Sequence, residues 1–291
     1  AEAMGATAQG GLRLDLATTL AQGDLQVTAE DLGRFSELAG QAMSGSMKGT
    51  LTLAPQEGMQ NGALVAELVG FRGFGARAER ADANISLRDA LGAPGADFAI
   101  SADGVLYVIP AEAAEATDGD AAAAPETRAS MVRAEVTGAA TDLTGAPAVI
   151  ASGELTGLAV SGPADAAVEG VTFEADLHDL IAAPGGVFKA VATGLEAEGA
   201  TLAELRLDAT GDNLLDAAGT LVADIAASGL DAGGATAREV TAHVEASDLT
   251  GAPAATATAK VSGIDAGGAT VRSAVLEASG RDLVAAPNGT A

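Results

Sequence analysis

The sequence predicts an all-β chain: an elongated, curved β-sheet trough built from two-strand repeats of about 35 residues. Three observations lead there. A short Asp…Pro motif recurs at nearly constant spacing. The residues before each copy alternate apolar and polar at one fixed phase. The composition, 48% hydrophobic but only 2% aromatic, with 38 glycines and no cysteine, suits a thin sheet better than a thick globular core.

The motif reads DALGAP from Asp89, DLTGAP from Asp142, DLIAAP from Asp179, DLTGAP from Asp248 and DLVAAP from Asp282, with a degenerate copy, NLLDAA, from Asn213. Successive anchors lie 53, 37, 34, 35 and 34 residues apart. The long first interval contains the Ala-rich acidic stretch 111–128 (AEAAEATDGDAAAAPETR), which is expected to form a mobile loop inserted into the repeat. The expected organisation is a β-repeat segment over 1–110 with a short helix near 32–40 (LGRFSELAG), the insertion at 111–128, and a regular β-repeat segment over 129–291.

Each unit contains two strands. Ahead of Asp31 the apolar positions are Leu25 and Val27; ahead of Asp89, Ile85 and Leu87; ahead of Asp179, Val171, Phe173 and Leu177. Ahead of Asn213 they are Leu205 and Leu207, ahead of Asp248 Val240 and Val244, and ahead of Asp282 Leu276. Polar residues such as Glu174, Arg206 and His243 occupy the alternate positions, so one side of each strand is apolar. The second strand fills slots such as Val187 to Leu195, Thr220 to Ser228 and Ala255 to Val261. Between the two strands lie turns of the type Asp231-Ala232-Gly233-Gly234. About fifteen strands fit the chain, and at ~4.8 Å per strand they would extend roughly 70 Å along the sheet. The last residues, DLVAAPNGTA, stand where another repeat would start, and the chain is expected to be a segment of a longer protein.

Charge argues against nucleic acid and anionic headgroups as electrostatic partners of the chain as a whole. Fifteen Lys and Arg against 40 Asp and Glu leave a net charge of −25, which repels nucleic-acid phosphates and anionic headgroups alike. Absence of cysteine removes disulfides and thiolate metal sites. No apolar run is long enough for a membrane-spanning helix, and no basic, then apolar, leader opens the chain. No catalytic constellation, phosphate-binding loop or nucleophile elbow occurs, so no enzyme activity, catalytic residue or cofactor is expected. His178 and His243 fall on the polar face of different repeats and read as solvated side chains rather than metal ligands. The DAGGAT turns lack the GGxGxD nonapeptide of calcium-binding β-rolls, and no metal site is expected.

The stretches LQVTAEDLGRFSELAGQAMSGSMKGTLTL (25–53), VATGLEAEGATLAELRLDATGDNL (191–214) and IAASGLDAGGATAREVTAHVEASDLTGAP (225–253) resemble the AsmA-like superfamily of bacterial envelope proteins. The likeness lies in repeat and composition, and it covers nearly the whole chain outside 111–128. It implies a repeating β-groove, or β-taco, open along one side and crossing the periplasm. It also implies attachment to the inner membrane and an outer-membrane BamA-like (TamA-type) barrel as partner, both through parts this chain does not contain. The implied activity is carriage of phospholipid or other acyl chains between the two membranes, or support of outer-membrane protein assembly.

The apolar wall has two readings. In the structural one, opposed strands pack into a closed core, as in a secreted or surface β-solenoid serving as adhesin or scaffold. In the functional one, Leu25, Val27, Ile85, Leu87, Val171, Phe173, Leu177, Leu205, Leu207, Val240, Val244 and Leu276 line a lipid groove. Small inward residues fill a closed core poorly unless the walls approach closely. Together with the resemblance, this favours the groove.

Overall fold

The computed structural model describes residues 2–3, 5–109, 127–162, 165–216, 218–250, 252–281 and 288–290. It is all-β, as the sequence predicts, apart from one short helical passage. The chain divides into two compact units: Ala1–Ala139 with Leu155–Ala166, and Ala140–Glu154 with Ala167–Ala291.

In the first unit the strands are β1 (Glu2–Ala3), β2 (Ala6–Leu14), β3 (Ala21–Ala29), β4 (Ser44–Gln56), β5 (Met59–Gly73), β6 (Ala76–Arg88) and β7 (Gly95–Ile109). From β1 to β7 each pairs antiparallel with the next. The predicted short helix is a 3-10 turn, Leu32–Phe35, running into α1 (Ser36–Ala39). Asp31 caps it by accepting the Gly33 N–H at 2.8 Å, and Gly40 ends it at φ 73°. Strands β8 (Thr127–Thr141) and β9 (Ala148–Ser161) contribute to both units. Of the predicted insertion at 111–128, residues 111–126 lie outside the described residues, and Thr127 and Arg128 already belong to β8.

The second unit holds β10 (Ala166–His178), β11 (Gly185–Ala197), β12 (Ala200–Asp212), β13 (Thr220–Ala232), β14 (Ala235–Ser247), β15 (Ala254–Ala266), β16 (Ala269–Arg281) and β17 (Asn288–Thr290). From β11 to β17 the antiparallel ladder again follows chain order. Fifteen strands, β2 to β16, are nine residues or longer.

The strands are joined by two kinds of turn. Two-residue turns with both central φ angles positive occur at Glu57-Gly58, Phe74-Gly75, Glu198-Gly199, Gly233-Gly234 and Gly267-Gly268. This is the turn whose twist matches that of paired strands. Glu57-Gly58 lies at the opposite end of β5 from Phe74-Gly75, beside the Asp89 motif, where Ala90 N–H donates to Gln60 O at 2.7 Å. The sequence expectation of a four-residue turn from Asp231 is too wide, since Asp231 and Ala232 still belong to β13. The second kind is the Asp…Pro motif. Asp89, Asp142, Asp179, Asn213 and Asp248 all adopt φ between 47° and 56°. Asp and Asn tolerate that left-handed region better than other side-chain-bearing residues, which is why the anchor is never anything else. Asp89 Oδ2 accepts the Ala93 N–H at 3.0 Å, and Asp142 Oδ2 accepts the Ala146 N–H at 2.9 Å. The carboxylates lie 2.5 and 2.6 Å from where a Cβ would stand on Gly92 and Gly145, which fixes glycine in GAP. In the DLIAAP copy, Ala182 replaces that glycine, and Asp179 Oδ1 accepts the Ala182 N–H instead, at 3.3 Å. Neighbouring motifs bond to each other as well: Leu180 N–H donates to Pro147 O at 3.1 Å and Leu214 N–H to Pro184 O at 2.8 Å.

The strands are longer than the sequence suggests because a glycine in the left-handed region is embedded in alternate strands. Gly70, Gly104, Gly157, Gly194, Gly229 and Gly263 have φ between 60° and 69°. Their spacings repeat those of the Asp anchors. In β13 the half-buried positions on the apolar side are Leu221, Ala223, Ile225 and Ala227 before Gly229, then Leu230 and Ala232 after it, with Ala226 the one half-buried residue on the other side. The glycine reverses the alternation, so apolar residues keep to one side through the bend.

Candidate functional site: one apolar face in each unit

The ladder registers set side chains of successive strands opposite one another on a shared face. In the first unit, Leu25, Leu51, Leu64, Ile85 and Phe98 form one uninterrupted row across β3 to β7. Beside it run Val27, Gly49, Ala66, Ala83 and Ile100, and on the other flank Gly23, Leu53, Gly62, Leu87 and Ala96. No polar side chain interrupts these three rows.

The second unit repeats the arrangement. One row is Ala192, Leu205, Ala227, Val240, Val261 and Ala274; the next is Ala190, Leu207, Ile225, Ala242, Ala259 and Leu276. A third is Phe188, Ala209, Ala223, Val244, Ala257 and Ala278. The rings of Phe173 and Phe188 stack with centroids 6.3 Å apart, which brings β10 to the same face, with Val171 and Leu177 in phase with Phe173.

The structure therefore places Leu25, Val27, Ile85 and Leu87 together on one apolar face, and Val171, Phe173, Leu177, Leu205, Leu207, Val240 and Val244 together on another. All are half-buried. Leu276 occupies its row but is 58% exposed, because most of β16 has a neighbouring strand on one side only. Sequence reasoning counted back from the anchors and so missed the wall residues of the partner strands, above all Leu51, Leu64, Phe98, Ile225 and Val261. The same alternation in those strands carried the signal.

Among the described residues no large side chain is fully buried, and the buried hydrophobic residues are Ala29, Leu32, Ala96, Ala140 and Ala237. The one buried polar side chain among them, Gln60, has a backbone task. Pro55, the residue facing Gln60 on β4, has no N–H to offer β3. Gln60 Oε1 accepts the Ala21 N–H at 2.6 Å and its Nε2 donates to Ala21 O at 3.1 Å.

The opposite faces are mainly polar, with exposed Val65, Val222 and Val275 among the polar side chains. In the second unit Lys189, Asp208, Asp224, His243, Thr258 and Glu277 form one cross-strand row. His243 Nδ1 lies 2.7 Å from Asp224 Oδ1 and its Nε2 3.4 Å from Glu245 Oε1. The hydrogen bond to Asp224, followed by that to Glu245, holds the imidazole pKa above its ordinary value. Arg206 pairs with Glu204 at 2.6 Å, and Lys189 with Asp208 at 3.4 Å. In the first unit Arg80 bridges Asp82 at 2.7 Å and Glu67 at 2.9 Å. An open depression of about 750 Å³ lies on this polar side, between the rows containing Lys48, Glu67 and Asp82 and those containing Gln26, Thr50 and Asn84. Such exposed pairs contribute little stability; their effect is to keep this side wetted while the other stays apolar.

The chemistry of the arrangement is that of a surface for hydrocarbon. It offers width and apolarity, with no nucleophile, acid or base on the apolar rows. No family model, curated protein or solved structure matches the chain.

Proposed function

We propose that the chain is an acyl-chain-carrying segment of a periplasmic bridge, of the kind typified by TamB, the translocation and assembly module protein of the AsmA-like superfamily. On this reading the apolar faces hold the tails of phospholipid or another acyl-chain ligand between inner and outer membranes. Outer-membrane protein assembly is the other role such a bridge could serve, with a TamA-type barrel as partner through parts absent here. The carrying observation is the run of uninterrupted apolar rows whose large residues are mostly half-buried, with none fully buried among the described residues. Leaving such a face permanently in water is unfavourable, at about 25 cal/mol per Å² of apolar surface. A resident hydrocarbon removes that cost, and a sheet of leucine, valine and alanine selects for chains rather than for a polar solute. The competing reading, a packed solenoid scaffold, calls for fully buried large side chains along the rows, and none is fully buried among the described residues.

The test is binding of a fluorescent fatty acid by wild type, Leu207→Asp and Arg206→Asp. Leu207 stands mid-row on the apolar face, and Arg206 points to the other side. The reading requires binding by wild type and by Arg206→Asp, and its loss in a folded Leu207→Asp. Absence of wild-type binding, or equal binding by all three, would sink it.

A further inference from the structure

One hairpin tip breaks the rule the others follow. Two residues outside each paired-φ turn, the cross-strand pairs are Pro55 with Gln60, Glu196 with Thr201, Asp231 with Thr236, and Asp265 with Thr270. At the β5–β6 tip the same place holds Arg72 opposite Arg77. Like charges directly opposite destabilise a ladder. Neither guanidinium has a hydrogen bond or ion pair within the described residues.

The turn itself is also unusual. Its first residue is Phe74 at φ 56°, where the other four turns carry Glu or Gly. A bulky side chain in the left-handed region is strained, and such strain persists where it serves a use. Phe74 is 62% exposed in a chain with only six phenylalanines. Tyr107, 44% exposed, packs beside the turn, its ring 3.4 Å from where a Cβ would stand on Gly75. From Gly70 to Ala78 the strand ends contain no acidic residue, and Arg72 and Arg77 face Ser44 and Leu106 on the flanking strands. Glu79 is the nearest acid along the hairpin.

We propose that the β5–β6 tip is a docking point for an anionic bilayer surface. Phe74 and Tyr107 enter the headgroup layer, as aromatic side chains do at membrane interfaces. Arg72 and Arg77 take lipid phosphates, whose negative charge relieves the repulsion between them. The net charge of −25 does not forbid this, because exposed charges more than about 8–10 Å away are largely screened at physiological salt. An anionic bilayer is favoured over a soluble acidic partner because strained, exposed Phe74 caps a narrow tip. That shape inserts into a soft interface better than it covers a flat protein surface.

The test is co-sedimentation of the full chain with vesicles of phosphatidylglycerol and phosphatidylcholine, against phosphatidylcholine alone. Wild type is expected to prefer the anionic vesicles, with affinity falling as salt rises. Each arginine replaced, in Arg72→Ser and Arg77→Ser, should weaken binding about fivefold. Phe74→Gly should weaken binding while raising the melting temperature, since glycine fits the turn without strain. Equal binding to both vesicle types, or tip variants that bind like wild type, would overturn the proposal. So would binding to a soluble polyanion such as heparin without vesicle binding. The proposal does not rest on the acyl-chain reading. Tip variants that lose vesicles but keep fatty-acid binding, and Leu207→Asp with the opposite behaviour, keep the two apart.

Discussion

Gly229 is the position at which the bend of the strands can be tested most sharply. It lies within β13 at φ 69°, and a Cβ placed there would stand 2.7 Å from Ala203 Cβ on β12. Gly229→Ala therefore meets two penalties. Holding an L-residue in the left-handed region costs about 1–2 kcal/mol. Overpacking against a backbone-anchored methyl group costs about 1–3 kcal/mol more. The expected destabilisation is roughly 2–5 kcal/mol, a fall in melting temperature of at least roughly 4 °C for a unit of this size. Ser228→Ala, on the exposed polar side, should stay within about 0.5 kcal/mol of wild type. Adding Ala203→Gly to Gly229→Ala should recover part of the packing penalty and none of the backbone one. Thermal unfolding, with amide exchange localised to β12–β14, separates these outcomes. If Gly229→Ala matches Ser228→Ala, the glycine is not holding a bend and the reversal of alternation needs another cause.

Two further expectations concern the turns and the polar face. Asp142 combines a left-handed φ with an accepted Ala146 N–H; Asp142→Asn should be nearly neutral, whereas Asp142→Ala should cost about 1–3 kcal/mol by chemical denaturation. His243 should titrate above the ordinary imidazole value of about 6.5, followed by proton NMR, and Asp224→Asn should move it back down. Because the folded pKa is raised, the stabilisation it brings is fully present below the unfolded pKa and disappears as pH rises through the folded one. A titration midpoint at or below the ordinary value would show that the 2.7 Å contact does not persist in solution.

Much of this fold is written in the sequence through period two. Val240 and Val244 alternate with polar neighbours over too few residues to mean anything alone, but recurrence of the phase ahead of each Asp anchor fixes the strand and its apolar side. The anchor itself reveals a turn, though not that Asp179 and Asp248 are chosen for positive φ. What stayed hidden is the bend. At Gly229 the alternation reverses, so a period-two reading ends the strand at Ser228 and gives the remainder to the turn. Only the spacing of Gly194, Gly229 and Gly263 could have exposed it. The partner-strand walls, such as Ile225 and Phe98, escaped because the count ran only back from the Asp anchors, although the same alternation runs through their own strands. The charge inversion at Arg72 and Arg77 was hidden for a different reason: five residues separate them in sequence, and only pairing sets them face to face.

The central claim is that the apolar face of the second unit is open to hydrocarbon while the reverse side of the same strand is not. The chain has no cysteine, so a single one can be introduced at Ile225, in the middle of an apolar row, or at its neighbour Asp224 on the polar row. Each carries a polarity-sensitive fluorophore and is titrated with oleate below its micelle concentration. The account predicts a saturable blue shift at Ile225→Cys and none at Asp224→Cys, with Leu207→Asp abolishing the first. A probe at Ile225→Cys that is already dry without oleate and unmoved by it would mean a closed core, and would contradict the account.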